Sequence, residues 1–254
     1  MSHGHSHQHG HPHEGRDDGA DEDAAHRRVL DLDAEVFGAQ LGAVLDLLGP
    51  SAPPRHVVDL GAGTGTGSRL LRDRFPAATV TAVDSDPRML RALAGQGFVV
   101  LAADLDEGFP AALHGADLVW AASSLHHVRE VPRLLAGVRA ALTPDGVLAV
   151  VELEDLPRFT AEPVEDRARA AARAAGWNHH PDWTPHLVQA GFTVERHDLV
   201  LDVAPSAAAE EFARAWLPRY LTVPGFDEGP AVQTLLDGDL VLEPRALRAV
   251  WVAR

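Results

Sequence analysis

The stretch DLGAGTGTG, residues 59–67, sets four glycines in nine positions, directly behind the apolar pair Val57 and Val58 and directly before an amphipathic segment. A chain that leaves an apolar run through so much bare backbone and enters a helical pattern reads as a strand, a tight turn and a helix. Glycine lets a ligand approach the main chain closely, and the helix start presents unpaired N–H groups and the positive end of its dipole. Nucleotide-type ligands exploit that geometry. The dinucleotide pattern G-x-G-x-x-G/A fails, because its last position is Thr66 counted from Gly61 and Ser68 counted from Gly63. The phosphate-loop pattern needs a lysine, and all 22 basic residues of this chain are arginine.

Around that turn, short apolar runs alternate with helical patterns as in βαβ units, at 56–60, 79–83, 98–102, 118–122 and 147–151. Their continuous apolarity suits strands buried on both faces of a parallel sheet. Val36, Phe37, Leu41, Val44, Leu45 and Leu48 recur at helical spacing before the first run, and Gly49 and Pro50 close that helix. Val131, Leu134, Leu135, Val138 and Leu142 form another stripe, followed by a turn at TPDG, 143–146. Beyond Leu153 the rhythm loosens. An Ala/Arg-rich helix is expected over 160–176, and a short one with Thr184 as N-cap, Pro185 at its first helical position and Gly191 at its end. A sixth strand follows over 193–203. Phe212, Trp216, Leu217, Tyr220 and Leu221 then form a helical stripe that Pro218 kinks or ends, and a last strand lies within 247–254.

The 254 residues, 46% hydrophobic, suffice for one α/β domain over 26–254. Residues 1–25 are rich in His, Gly and Ser and then acidic, without apolar content, and are expected to stay unfolded. No apolar run reaches membrane-spanning length and the start lacks a secretory pattern, so a cytoplasmic protein with no membrane association is expected. The absence of cysteine removes disulfides, thiolate metal sites and Cys nucleophiles. A net charge of −15 opposes binding to nucleic acid. His3, His5, His7, His9, His11 and His13 could chelate a divalent metal, but such a tail has no preformed geometry, which favours incidental binding.

VVDLGAGTGTGS, 57–68, resembles the first motif of class I S-adenosylmethionine-dependent methyltransferases, and further matches follow in order. VTAVDSDPRML ends the second strand with Asp84, 23 positions past Gly61; VLAADLDEGFP ends the third with Asp104 and Leu105; ADLVWAASSLHHV forms the fourth. LTPDGVLAVVEL resembles the family's L-x-P-G-G stretch, with Asp145 in place of the first glycine. The similarity covers about 57–153. It implies a Rossmann-like, seven-stranded, mostly parallel sheet with helices on both faces, an antiparallel last strand and a small helical cover. The cofactor-binding core would span about 55–153, with substrate-cover insertions at about 156–190 and 205–237.

The resemblance also implies S-adenosylmethionine as cofactor and a small-molecule acceptor, with Asp59, Gly61, Gly63, Gly65, Asp84, Ser85, Met89, Asp104, Leu105 and Ser123 about the cofactor. The chemistry agrees. A carboxylate at Asp84 can accept from both hydroxyls of a ribose diol and would repel a 2′-phosphate. Asp104 can accept from an exocyclic amine, Leu105 and Met89 offer apolar contact, and Asp59 can fix an ammonium directly or through water. Taken singly, each acid has a structural alternative: Asp59 capping the turn, Asp84 capping the helix near Pro87, Asp104 on a solvated loop. His126 and His127 are the candidates for acid/base work, with packing under the cofactor or organising the loop as the favoured alternative. Two other functions compete: a nicotinamide-dependent oxidoreductase on the same architecture, and a non-enzymatic metal-binding protein led by its His-rich tail.

Overall fold

A computed structural model describes residues 18–49, 52–177 and 182–254. The long helix α1 (Asp18–Leu47) precedes β1 (His56–Leu60), α2 (Thr66–Arg74), β2 (Thr79–Asp84), α3 (Pro87–Gly95), β3 (Val99–Ala102), β4 (Ala116–Ala122), α4 (Val131–Ala141) and β5 (Leu142–Thr160). Then come α5 (Pro163–Ala174), α6 (Thr184–Gln189), β6 (Val194–Asp202), α7 (Ala207–Trp216), α8 (Gly229–Asp237) and β7 (Leu242–Ala253). The strands form one sheet in the order β3-β2-β1-β4-β5-β7-β6. β1 to β5 pair in parallel, and β7 runs antiparallel between β5 and β6. Because β1 and β4 are neighbours, the order reverses beside the glycine turn, the place where open sheets of this topology leave a ligand crevice at the carboxyl ends of their strands.

Alternation along the central strands supplies two buried layers. Val58, Leu60, Val119, Ala121, Leu148 and Val150 pack under Leu134, Leu135 and Val138 of α4. Val57, Trp120, Ala149, Val151, Val250 and Val252 face Val44, Leu45 and Leu48 at the end of α1 and Leu71 of α2. A third cluster forms the helical cover: Leu32 and Phe37 of α1, Phe159 at the end of β5, Ala168 of α5, and Phe212, Leu217 and Tyr220.

Several expected boundaries move. The first helix begins at Asp18, so the last eight residues of the stretch expected to be unfolded are helical. Its buried face at Val29, Leu32, Val36 and Phe37 anchors it, and each further residue then adds a backbone hydrogen bond without a new nucleus. The six histidines of the tail lie outside the described residues. TPDG is no free turn: Leu142 pairs Ala116 and Val147 pairs Leu118, so residues 143–146 form an irregularity within β5. A Cβ on Gly146 would lie 3.0 Å from the carbonyl oxygens of Ala116 and Thr143, which is why this position needs glycine while Asp145 stays exposed.

β5 runs on to Thr160, where a helix was expected to begin. Register shifts against β7 at 153–160 break the alternation that would have marked it as a strand. Buried Glu165 caps that end, accepting from the Phe159 N–H (2.7 Å), the Thr160 N–H (2.7 Å) and the Thr160 hydroxyl (2.7 Å). Thr184 is the first residue of α6, not its cap; Trp183 holds the cap position, and Asp182 Oδ1 accepts from both the N–H and the hydroxyl of Thr184. The stripe broken by Pro218 passes from α7 into a 3₁₀ segment, Leu217–Thr222. α8 escaped the sequence reading, although Pro230 in its first turn and Gly238 just past its end mark it.

Candidate active site

The glycine turn is shaped by what stands behind it. Gly61 has φ +67°, and a Cβ there would lie 2.6 Å from the Cβ of Ser124, so β1 can exit against the loop leaving β4 only with glycine at this point. Gly67, in the first turn of α2, passes over buried side chains: a Cβ would meet Trp120 Nε1 at 2.9 Å and both carboxylate oxygens of Asp59 at 3.0 Å. Gly63 and Gly65 also take positive φ, and Gly65 caps α2 without a side chain, which leaves the amide end of the helix to the crevice.

The three acids expected around the cofactor lie at or just beyond the ends of β1, β2 and β3, each with a different environment. Asp59 is buried under α2 and its Oδ2 accepts from the Ser68 hydroxyl at 2.6 Å. Burial pushes its carboxyl up to about 6, against the lowering effect of the Ser68 hydrogen bonds, and the charge of Asp84 adds a further rise. Asp84 is half-buried, with the Gly63 N–H donating to Oδ2 (2.8 Å) and the Asp86 N–H to Oδ1 (2.8 Å). It therefore locks the glycine turn to the end of β2, while the N-cap of α3 is Asp86. Asp104 is exposed and caps a short 3₁₀ turn by accepting from the Asp106 N–H (2.9 Å). Ser85 is exposed, and Met89 and Leu105 are half-buried.

On the other side of the crevice, Ser123 follows β4 with φ +51°, the only non-glycine residue with positive φ among the described residues. Such strain in a serine at a strand tip is characteristic of functional sites. His126 Nδ1 lies 2.9 Å from Glu152 Oε2, and the Leu125 N–H donates to Glu152 Oε1 at 3.1 Å. His127 is exposed, its ring centroid 4.0 Å from that of His126.

Sequence reasoning missed two acids. Glu152 is 1% exposed at the end of an apolar strand, and its charge type in that position was the available signal. Asp106 accepts from the N–H and Nε of Arg129 and from the N–H of Glu130, tying the loop after β3 to the loop after β4. The Arg129 guanidinium holds its carboxyl below the usual range. Among the described residues no group of three metal-ligating side chains converges, and no helix is long and apolar enough to cross a membrane.

These residues fit an adenosine-type sulfonium cofactor. Asp59 and Asp84 stand at the turn, matching a ligand with hydroxyls and an ammonium group, while the Arg69 guanidinium beside it is engaged by the Thr64 carbonyl at 3.0 Å. Trp120 Nε1, beside Gly67, and Ser124 Oγ, beside Gly61, are buried polar atoms without a hydrogen-bond partner.

Comparison with known proteins agrees. Residues 58–148 match the methyltransferase domain family. Trans-aconitate 2-methyltransferase of Paracidovorax citrulli is 36% identical over 132 residues, 50% of this chain and 48% of that protein. Malonyl-[acyl-carrier protein] O-methyltransferase of Laribacter hongkongensis is 33% identical over 143 residues, 51% of this chain and 47% of that protein. The chain thus spans about half the length of these curated relatives. Among solved structures, the YcgJ protein of Bacillus subtilis superposes with a TM-score of 0.54 at 16% identity, over 85% of this chain and 97% of that one, a likeness of fold. The region 58–148 is a class I S-adenosylmethionine-dependent methyltransferase domain.

Proposed function

We propose that the protein transfers the methyl group of S-adenosylmethionine to a small acceptor bearing carboxylates. The observation that carries the cofactor half of this reading is Asp84: a carboxylate whose two oxygens are aimed by the Gly63 and Asp86 amides, beside the amide end of α2. Each oxygen keeps a lone pair for a ribose hydroxyl. Asp104 and Leu105 would hold the adenine, and Asp59, beneath the turn, would stabilise the methionyl ammonium. The cofactor supplies the electrophilic methyl, so the chain's task is alignment and exclusion of water. A carboxylate acceptor is nucleophilic without losing a proton, and support for it comes from the relative that acts on trans-aconitate. His126, held by Glu152, then organises the loop after β4 rather than serving as an indispensable base. No finding favours a nicotinamide-dependent oxidoreductase or a metal-binding protein led by its tail.

The test is calorimetry with S-adenosylhomocysteine, followed by transfer of labelled methyl to trans-aconitate and to a panel of other small carboxylic acids. Absence of S-adenosylhomocysteine binding refutes the reading. Binding without any methylated acid in the panel refutes its acceptor half.

A further inference from the structure

Arg248 lies on β7 with its side chain 3% exposed. It pairs with Leu153 of β5, and Val151, two residues earlier on that strand, pairs with Ala122 at the end of β4. Its backbone therefore stands just past the carboxyl tip of β4, where the crevice opens. Val250 and Val252 pack on the same side of the sheet as Trp120 and α2, and alternation puts Arg248 on that side too. There it meets Asp33 of α1, one nitrogen bridging both oxygens: Nη2 donates to Oδ1 at 2.7 Å and to Oδ2 at 2.6 Å. Nη1 is buried and has no hydrogen-bond partner.

A guanidinium matches a carboxylate best as a fork, two nitrogens to two oxygens, and Asp33 does not use it so. The carboxylate of Asp33 is itself 26% exposed, so the pair is open to solvent on the aspartate's side. In a chain of net charge −15, an anionic ligand also needs a local cation. We propose that Arg248 receives a carboxylate of a bound small molecule, and that Asp33 fills that place from within the chain. A ligand carboxylate displaces Asp33 and engages Nη1. The proposal rests on the methyltransferase reading for its two sources of a carboxylate, the methionyl end of the donor and the acceptor.

Calorimetry on the full chain separates them, with S-adenosylhomocysteine, with 5′-methylthioadenosine, which lacks the amino-acid end, and with citrate as a polycarboxylate probe. Arg248→Met weakens S-adenosylhomocysteine about ten- to one-hundredfold if the donor's carboxylate is the ligand, or citrate by as much if the acceptor's is, and leaves 5′-methylthioadenosine unchanged. Asp33→Asn removes the competing charge and strengthens the same ligand. Unchanged binding of S-adenosylhomocysteine and citrate in both folded variants overturns the proposal; should Arg248→Met fail to fold, unchanged affinities in Asp33→Asn overturn it alone. Failure of the wild-type chain to bind either S-adenosylhomocysteine or 5′-methylthioadenosine sinks the methyltransferase reading instead, so the two failures are distinct.

Discussion

Glu152 at the end of the parallel part of β5 holds His126 on the loop that leaves β4: its Oε2 is 2.9 Å from Nδ1, and its Oε1 accepts the neighbouring Leu125 N–H at 3.1 Å. The contact ties the imidazole to β5 through Nδ1. One buried side chain thereby sets the course of the loop that faces the glycine turn.

Removing that carboxylate strands both partners in a buried place. Glu152→Ala is expected to lower stability by about 2–4 kcal/mol, read by denaturant unfolding. His126→Ala, with the loop amide still held, should retain S-adenosylhomocysteine affinity and lose less than about tenfold in turnover, because loss of an indispensable base costs about 10²- to 10⁴-fold. A larger loss, together with a wild-type pH profile titrating near neutrality, would make His126 a base.

Asp84→Ala removes both the ribose acceptor and the anchor of the Gly63 amide. Affinity for S-adenosylhomocysteine should fall about ten- to one-hundredfold by calorimetry. Unchanged affinity in a folded variant would remove the central assignment.

Asp59 carries a pH signature. Burial raises its carboxyl from 3.8 to about 6 in the folded chain, so between these values the unfolded state has already released the proton that the folded state still holds. Its contribution to stability therefore falls as pH rises through that window, reaching a penalty of roughly 3 kcal/mol above it. Asp59→Asn should gain on the wild type by up to that amount between pH 4 and pH 7 in chemical unfolding. A ligand ammonium beside Asp59 favours its charged form, so S-adenosylhomocysteine binding should release a proton near pH 6, seen as a buffer-dependent binding enthalpy.

Gly61→Ala must fit a Cβ 2.6 Å from that of Ser124 at φ +67°. A loss of roughly 2–4 kcal/mol is expected from overpacking and left-handed strain together, measured by unfolding. Gly95→Ala, with open space around it and a helical backbone, serves as the control that should not destabilise.

A chain that starts at Asp18, without the six tail histidines, should keep full turnover with and without chelator. A metal-dependent loss would give the tail a function.

The local part of this protein was legible in its residues. Strands β1 to β4 announce themselves as short, mostly apolar runs, largely buried in β1 and β4 and half-exposed in β3 at the edge of the sheet, and the glycine turn because no other residue type tolerates its approach to Ser124. The acids at 59, 84 and 104 could be named for the same local reason, each closing a strand at a turn. What the residues did not disclose depends on partners far away in sequence. β5 continues to Thr160 only because β7, about ninety positions later, pairs with it through shifted registers that hide the alternation. Glu152 becomes the holder of His126 only when β4 and β5 lie side by side, and Arg248 meets Asp33 across 215 positions of chain. A buried charge is specified by whatever neutralises it, and that neighbour is chosen by the packing of the sheet against α1, not by the segment in which the charge is written.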